Sequence, residues 1–482
     1  MSTSFSRITG TSDTPDLPLY DQAALRSIEQ TAIAALGPHV LMQRAGLAIA
    51  QCTMALAPHA RNIWIPCGPG NNGGDGLEAA KHLRQWGKEP VVSLLGPATV
   101  LPTDAAQSLQ RAQQAGVAFI EGIPEDWDFC VDALFGIGSN RPIEEDCEQW
   151  VRRINAHEAP VLAADVPTGL DAFTGSSGSI FTRAHATLTL LGAKAGLFTA
   201  DGRDACGDVW LHPLGIVATQ EPCALLNTKV HAGLRLHNSH KGSYGDIAVL
   251  GGCHGMTGAA VLAALGALHG GAGRVYLALL DEQAPNALPS HPELMLRDVE
   301  SLDFSALTVV AGCGGGSAIQ TQLQRILSTA KHLVLDADAL NAIANSTELI
   351  ALLQQREPHT TVATPHPLEA ARLLKTTTAL VQANRMEAAQ TLSDQLRCTV
   401  VLKGSGTVIT SPGELPRINT TGNARLATGG TGDVLAGLAG AYLAAGAAAH
   451  QAACSAAYAH GQAADRWPPD RYLTAAALAQ SL

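Results

Sequence analysis

The sequence predicts an α/β protein made of two αβα domains, each with a doubly wound, mostly parallel sheet. Three observations carry that prediction. A chain of 482 residues is too long for a single core. Short apolar runs alternate with helix-periodic segments, the order that parallel strands joined by helical crossovers require. Glycine is abundant at 48 residues and aromatics are scarce at 4%, which suits many tight turns between short elements. Hydrophobic residues at 46% against 15% charged supply enough apolar surface for buried cores and argue against disorder.

Taken in order, the first twenty residues have no apolar core and read as a short disordered lead rather than a signal peptide. Strands are expected at Ile63–Pro66, Val91–Leu95, Phe129–Ala133, Val161–Asp165 and Thr187–Leu190, with helices such as Leu77–Trp86 and Ala105–Ala115 between them. From Lys241 the alternation starts afresh with "GDIAVLGG", a small-residue helix from Thr257, "GRVYLALL", "LTVVAGCGGG" and "HLVLDADALNAI". The turn-rich span from Asp201 to Ser239 marks the junction, giving domains at residues 1–225 and 226–482 with no internal repeat. Val434 to Ala464 carries no charge, but it is built on alanine and glycine and includes His450, Gln451, His460 and Gln462. Two packed buried helices broken near Gly446 fit it better than a membrane span.

A formal net charge of −11 argues against nucleic acid or an anionic membrane surface as partner. It leaves room for anionic small molecules, which helix N-termini bind through backbone N–H groups. The ten cysteines are scattered with no C-x-x-C pair, so a reducing cytoplasm is the expected setting.

The first chemistry-bearing stretch is "NIWIPCGPGNNGGDGLEAAKHL", where Gly68, Gly70 and Gly73 are spaced as G-x-G-x-x-G between strand-like and helix-like runs. A dehydrogenase would end its next strand on an acidic residue for the ribose, but "PVVSLLGP" has none. A P-loop would need Gly-Lys-Ser/Thr, and that is absent too. Carboxylates stand instead at two later strand ends, Asp132 in "FCVDALFGIGSNRP" and Asp165 in "LAADVPTGLD". In an open parallel sheet the carboxyl ends of strands face one crevice, so Asn71, Asn72, Asp75, Asp132, Asp165 and Thr168 can converge there. Any one of them alone is an ordinary turn or capping residue. In the second half, "GGTGD" opens a helix whose first N–H groups, at Gly430, Thr431 and Gly432, form an anion site with the dipole behind them. Asp433 at that helix start suits a general base for a hydroxyl attacking phosphorus.

With "GPGNNGGDG", "DALFGIG" and "DVPTGLD" in this order, the first half resembles the NAD(P)H-hydrate epimerase domain. The second half resembles its usual fusion partner, the ADP- or ATP-dependent (S)-NAD(P)H-hydrate dehydratase, which has a ribokinase-like fold beside the Rossmann-like first domain. The resemblance implies repair of hydrated NADH and NADPH: one domain interconverts the R and S hydrates, and the other removes water from the S form. It implies a potassium ion on Asn72, Asp132 and Thr168, all hard oxygen donors. Thr168 stands where the family usually has serine, and the hydroxyl is kept. It implies that Asn71, Asn72, Gly73, Gly74 and Asp75, with Gly136, Ile137, Gly138, Ser139, Asn140, Arg141 and Pro142, hold the hydrated nucleotide. Asp165 becomes the candidate acid/base. Lys194 in "GAKAGL" is either its assistant or a structural cation.

In the second half the resemblance places substrate at Ala259 beside Gly258, at Gly315, at His366 in "TPHPLEA", and at Asp433. It places the nucleotide (ADP favoured, or ATP, with Mg2+) at Lys403, Gly404, Ser405, Gly406, Thr407 and Gly432. It also carries an expectation of a homo-oligomer. Leu368 for glycine, Ala424, Arg425 and Leu426 in "TGNARLATGG", and Cys313 for proline depart from the family's pattern and put the shape of the nucleotide loops in question. A competing reading is a ribokinase-like small-molecule kinase fused to a non-catalytic nucleotide-binding module.

Overall fold

The apolar runs become strands because helices cover both faces of each sheet, which removes any need for polar alternation. The computed structural model describes residues 5–8, 16–138, 143–228 and 237–482. They divide into two units, one holding residues 17–224 and the other beginning at Leu225.

The strands of the first unit are β1 (Ser6–Arg7), β2 (Pro18–Leu19), β3 (Asn62–Cys67), β4 (Glu89–Leu94), β5 (Ala118–Ile120), β6 (Phe129–Asp132), β7 (Val161–Ala164), β8 (Ala186–Leu190) and β9 (Asp208–His212). All of them but β2 form one sheet in the order β1-β9-β8-β7-β6-β3-β4-β5, parallel throughout except for β1 on β9. Ile63, Ile65 and Val131 face one apolar layer, while Trp64, Cys130 and Val161 face the other. The order in which successive strands are added reverses between β3 and β6, and such a switch point opens a crevice at the carboxyl ends.

Two expectations need correcting here. The lead is not wholly without structure: Ser6 and Arg7 pair with Leu211 and Trp210, and Leu19 bridges Ala193. Residues 1–4 and 9–15 lie outside the described residues. The first crossover helix runs Asn71–Gln85 rather than starting at Leu77, so the "NNGGD" stretch opens it. Gly73 makes this possible, since a Cβ there would lie 2.0 Å from the Gly68 carbonyl oxygen. Glycines discouraged the helix reading by propensity, yet tight packing at the turn overrides that cost of about 1 kcal/mol each.

In the second unit β10 (Ala224–Asn227) is followed by β11 (Asp246–Gly251), β12 (Arg274–Leu279), β13 (Met295–Leu296), β14 (Thr308–Ala311), β15 (His332–Leu335), β16 (Thr361–Ala363), β17 (Thr399–Leu402), β18 (Val408–Thr410) and β19 (Arg417–Asn419). Their order is β13-β12-β11-β14-β15-β16-β17-β18-β19-β10, with β18 antiparallel to both neighbours. Val249, Val310 and Val334 point to a layer containing the small-residue helices Thr257–His269, Thr431–Ala444 and Ala449–Asp465. Leu250, Val309 and Leu333 point to the opposite layer. The charge-free stretch is thus two buried helices with the break at Gly446, as the sequence indicated. Among the described residues no single helix is long and apolar enough to cross a membrane.

Candidate active sites

A cavity of about 530 Å³ opens at the switch point of the first sheet. The N-terminal end of Asn71–Gln85 contributes Asn71, Asn72 and Asp75, the turn after β6 contributes Gly136, Ile137 and Gly138, and the segments after β7 and β8 contribute Asp165 and Lys194. Helix Gln22–Leu36, which sequence reasoning left unassigned, adds Arg26 and Glu29. Gly73 and Gly74 are buried beneath that wall. Ser139, Asn140, Arg141 and Pro142 lie outside the described residues.

Asp165 has φ +66°, in the left-handed region that non-glycine residues seldom occupy. Strain of this kind persists where the surroundings over-determine it. The carboxylate is ion-paired with Lys194 and accepts the Leu190 N–H at 3.0 Å. The Lys194 ammonium also donates to Thr189 Oγ1 (2.9 Å) and the Leu190 carbonyl (3.0 Å). Its donors are thereby taken up by Asp165, Thr189 and Leu190, which ties the Asp165 loop to the end of β8. Asp75 lacks such a cation. Burial first, then the charges of Asp165, Glu29 and Glu78, push its carboxyl well above the usual carboxylate range. Glu29 is pushed up in the same way, by burial and then by Asp165.

Behind the cavity wall, Asp132 is fully buried at the end of β6. It accepts the Thr168 hydroxyl (2.7 Å) and N–H (2.9 Å), with the Leu134 N–H further off at 3.3 Å. Burial raises its carboxyl, and the Thr168 bonds pull it back. Asn72, the third expected oxygen donor, has both side-chain polar atoms buried with no hydrogen-bond partner among the described residues.

The second centre lies at the carboxyl ends of β14, β15 and β17. Gly430 caps helix Thr431–Ala444 at φ +92°, a conformation glycine adopts freely, and the first N–H groups of the helix are left without side-chain caps. Asp433 stands in the first turn. Its carboxyl is raised to about 7 by burial and then by the charge of Asp336, against the opposing pull of the Cys313 hydrogen bond and Lys403. Asp336 at the end of β15 is the functional residue that sequence reasoning missed. The signal was present: "VLDADAL" ends a strand on an acid, as Asp132 and Asp165 do. It is buried and accepts Lys403 Nζ at 2.6 Å and Thr364 Oγ1 at 2.7 Å. Burial opposes the Lys403 charge, but Asp336 and Glu369 outweigh it and raise the ammonium above its ordinary value. Ligand atoms of Cys313, Asp336 and Asp433 lie within 4.8 Å of one another. Lys403 already supplies a cation to this group.

The other expected residues fall around this core. A Cβ on Gly432 would sit 3.3 Å from Lys403 Nζ, so the helix start and the lysine share one wall. The Gly404–Thr407 turn closes with Thr407 Oγ1 donating to the Gly404 carbonyl at 3.2 Å. Buried Arg385, also missed, supports it by donating to the Leu402 and Lys403 carbonyls at 3.1 and 3.2 Å. His366 caps helix Pro367–Leu374: its Nδ1 accepts the Leu368 N–H at 3.1 Å, while Glu369 returns a bond to the His366 N–H at 2.8 Å. Burial and then Lys403 lower its pKa, so the imidazole is poised neutral. Gly315 lies in the turn after β14, and Gly258 and Ala259 begin helix Thr257–His269.

The departures are benign for the backbone. Leu368, Ala424, Arg425, Leu426 and Cys313 all avoid positive φ, so none incurs the strain that replacing a left-handed glycine brings. Leu368 is exposed, and Cys313 is buried with its thiol 3.8 Å from Asp336 Oδ2.

Residues 38–196 match the family described as YjeF-related protein N-terminus, and residues 247–482 match NAD(P)H-hydrate dehydratase. The bifunctional NAD(P)H-hydrate repair enzyme Nnr of Coxiella burnetii is 33% identical over 468 residues, covering 93% of this chain and 94% of that one. This chain belongs to the bifunctional NAD(P)H-hydrate repair enzymes. The Escherichia coli K12 member is 34% identical over 448 residues, 88% of this chain and 84% of its own. The structure of the Bacillus subtilis ADP/ATP-dependent NAD(P)H-hydrate dehydratase, co-crystallised with ATP and Mg2+, is 30% identical, with a TM-score of 0.46 over 52% of this chain and 91% of that one. An epimerase domain followed by a dehydratase domain is therefore the organisation of this repair enzyme.

Proposed function

We propose that the two centres perform successive steps of hydrate repair, the cavity around Asp165 equilibrating the R and S hydrates and the centre around Asp433 dehydrating the S form. The observation that carries the second step is Asp433, a carboxyl near 7 beside an uncapped helix N-terminus. As a general base it takes the proton of the ring hydroxyl as that oxygen attacks the terminal phosphoryl group of the nucleotide. The Gly430–Gly432 N–H groups balance charge on the phosphoryl group in transfer. The remainder of the nucleotide is released, the ring-nitrogen lone pair expels phosphate from the ring carbon, and the adjacent carbon loses a proton to restore the ring double bond. Lys403 and the Gly404–Thr407 turn hold the nucleotide, with ADP as the favoured donor and Mg2+ entering as its counter-ion. His366, Gly315 and Ala259 border the hydrated ring.

In the first centre, Asn72, Asp132 and Thr168 suit a potassium ion. The donors are hard oxygens, and among the described residues the buried amide of Asn72 has no protein partner to satisfy it. Bound there, the ion supplies fixed positive charge beneath the substrate loop. The reducing cytoplasm is the compartment we assign, supported by ten cysteines that are all unbonded. The test incubates the purified protein with separated R and S hydrates, with and without ADP or ATP. Chromatography follows the epimers, and recovery of dihydronicotinamide absorbance follows repair. Interconversion without nucleotide and S-specific recovery with it are expected. Phosphorylation of the hydrate without release of the reduced cofactor would favour a kinase instead.

A further inference from the structure

The epimerase cavity contains a carboxyl whose surroundings suit it for more than holding substrate. Asp75 stands just past the first turn of helix Asn71–Gln85 and lines the cavity together with Asp165. Among the described residues no group hydrogen-bonds or ion-pairs with its carboxyl. Among the described residues, each nearby cation is committed elsewhere or faces another acid. Lys194 is bound to Asp165, and Arg111 and Lys81 are bound to Glu78. Arg26 acts on Glu29. The remaining titratable neighbours are acids: Glu29 from helix Gln22–Leu36, Asp104 from helix Thr103–Gln114, Glu78 one turn along, and the Cys67 thiol of β3. A helix N-terminus favours an anion by about 0.3–1 kcal/mol, and burial among carboxylates outweighs that here. Two carboxyls thus line one cavity in opposite settings, one ion-paired and one left to keep its proton. Divergent environments of this kind separate an acid from a charge-stabilising partner.

We propose that Asp75 is the general acid of epimerisation, protonating the hydroxyl of the hydrated ring, while Asp165 faces the cation that forms. This rests on the reading of the cavity as the epimerase site. The Asp75 proton moves to the hydroxyl oxygen. The carbon–oxygen bond breaks with its electron pair on oxygen, and water leaves. The ring-nitrogen lone pair forms a carbon–nitrogen double bond, and the resulting positive charge is balanced by Asp165. Water then adds from either face and returns a proton to the Asp75 carboxylate. No oxidant or reductant is required, and each turnover exchanges the hydroxyl oxygen with solvent.

The experiment starts from pure R hydrate without nucleotide. Wild-type protein should equilibrate it with the S hydrate; failure to do so would overturn the assignment of the cavity, separately from the role of Asp75. In H2 18O the wild-type reaction should place label in both epimers as fast as they interconvert. The wild-type rate should fall as rising pH removes the Asp75 proton. Asp75→Asn should lose at least about 10²-fold in epimerisation rate, with hydrate affinity by calorimetry changed by less than about threefold, and any residual rate should lack the fall at high pH. Wild-type turnover by Asp75→Asn would overturn the proposal, as would a loss confined to KM or interconversion without label. The labelling and the wild-type pH profile need no variant, so a poorly folding Asp75→Asn protein still leaves the proposal exposed.

Discussion

The two centres use the same electrostatic parts and differ in what surrounds them. In each, a lysine is spent on one aspartate, the buried Lys194 on Asp165 and the partly buried Lys403 on Asp336. In each, a second aspartate near a helix start is pushed upward, Asp75 just past the first turn and Asp433 within it. For Asp433 the rise from 3.8 to about 7 corresponds to roughly 4 kcal/mol, above the ~2 kcal/mol ceiling of a helix dipole. Burial with like charge therefore wins over the dipole. The contrast lies in the side chains. In the epimerase unit the carboxyls of Asp75, Asp165 and Glu29 line the cavity beside Gly70 and Gly138, which have open space, while Gly73 is packed tight against Gly68. In the dehydratase unit Gly429 has open space beside it and Gly430 presents the helix start, so backbone N–H groups remain for phosphate. A site that moves a proton on a ring needs carboxyls, whereas one that transfers phosphoryl groups also needs exposed backbone donors.

The largest expected effect separates the centres outright. Asp433→Asn keeps shape and removes the base, so nucleotide-driven absorbance recovery should fall by at least about 10²-fold. Epimers should still equilibrate on chromatography, and nucleotide affinity should hold. Equal loss of both activities in a folded protein would break the two-centre comparison.

Next comes the cation. Five of the six tryptophans, Trp64, Trp86, Trp127, Trp150 and Trp210, belong to the first unit, so fluorescence melting reports chiefly on it. Potassium at about a hundred times its dissociation constant should stabilise that transition by about 2.7 kcal/mol. Asn72→Ala should remove the gain and slow epimerisation, leaving dehydration of S hydrate unchanged. A potassium response that survives in Asn72→Ala would move the ion elsewhere.

A smaller effect sharpens the role of Asp336. The Asp433 base works only when ionised, so dehydration should rise with pH through about 7 and level off above it. Asp336→Asn removes a like charge and frees Lys403, both of which favour the Asp433 anion. The limb should move down by about one pH unit or more. An unmoved limb would mean that Asp336 only anchors Lys403. Smallest of all is Leu368→Gly: Leu368 is exposed and avoids positive φ, so nucleotide KM should change by about twofold or less.

The strand-end acids Asp132 and Asp165, the "GGTGD" helix start and the two-unit plan were legible in the sequence, because apolar runs, glycine clusters and acids at strand ends are local signals. Asp336 was legible by the same rule and was passed over, because a strand ending in Asp-Ala-Asp carries no glycine-rich turn to mark it. What the sequence by itself determined was the set of chemical groups, their order along the chain, and the family they belong to. Only the tertiary structure decided that Lys194 and Lys403 are each consumed by one aspartate, that Arg385 lies beneath the nucleotide turn, and that Asp75 is left without a cation. Those outcomes depend on which side chains meet across strands tens to hundreds of residues apart, and on how much water burial removes. A pattern of neighbouring residues encodes neither.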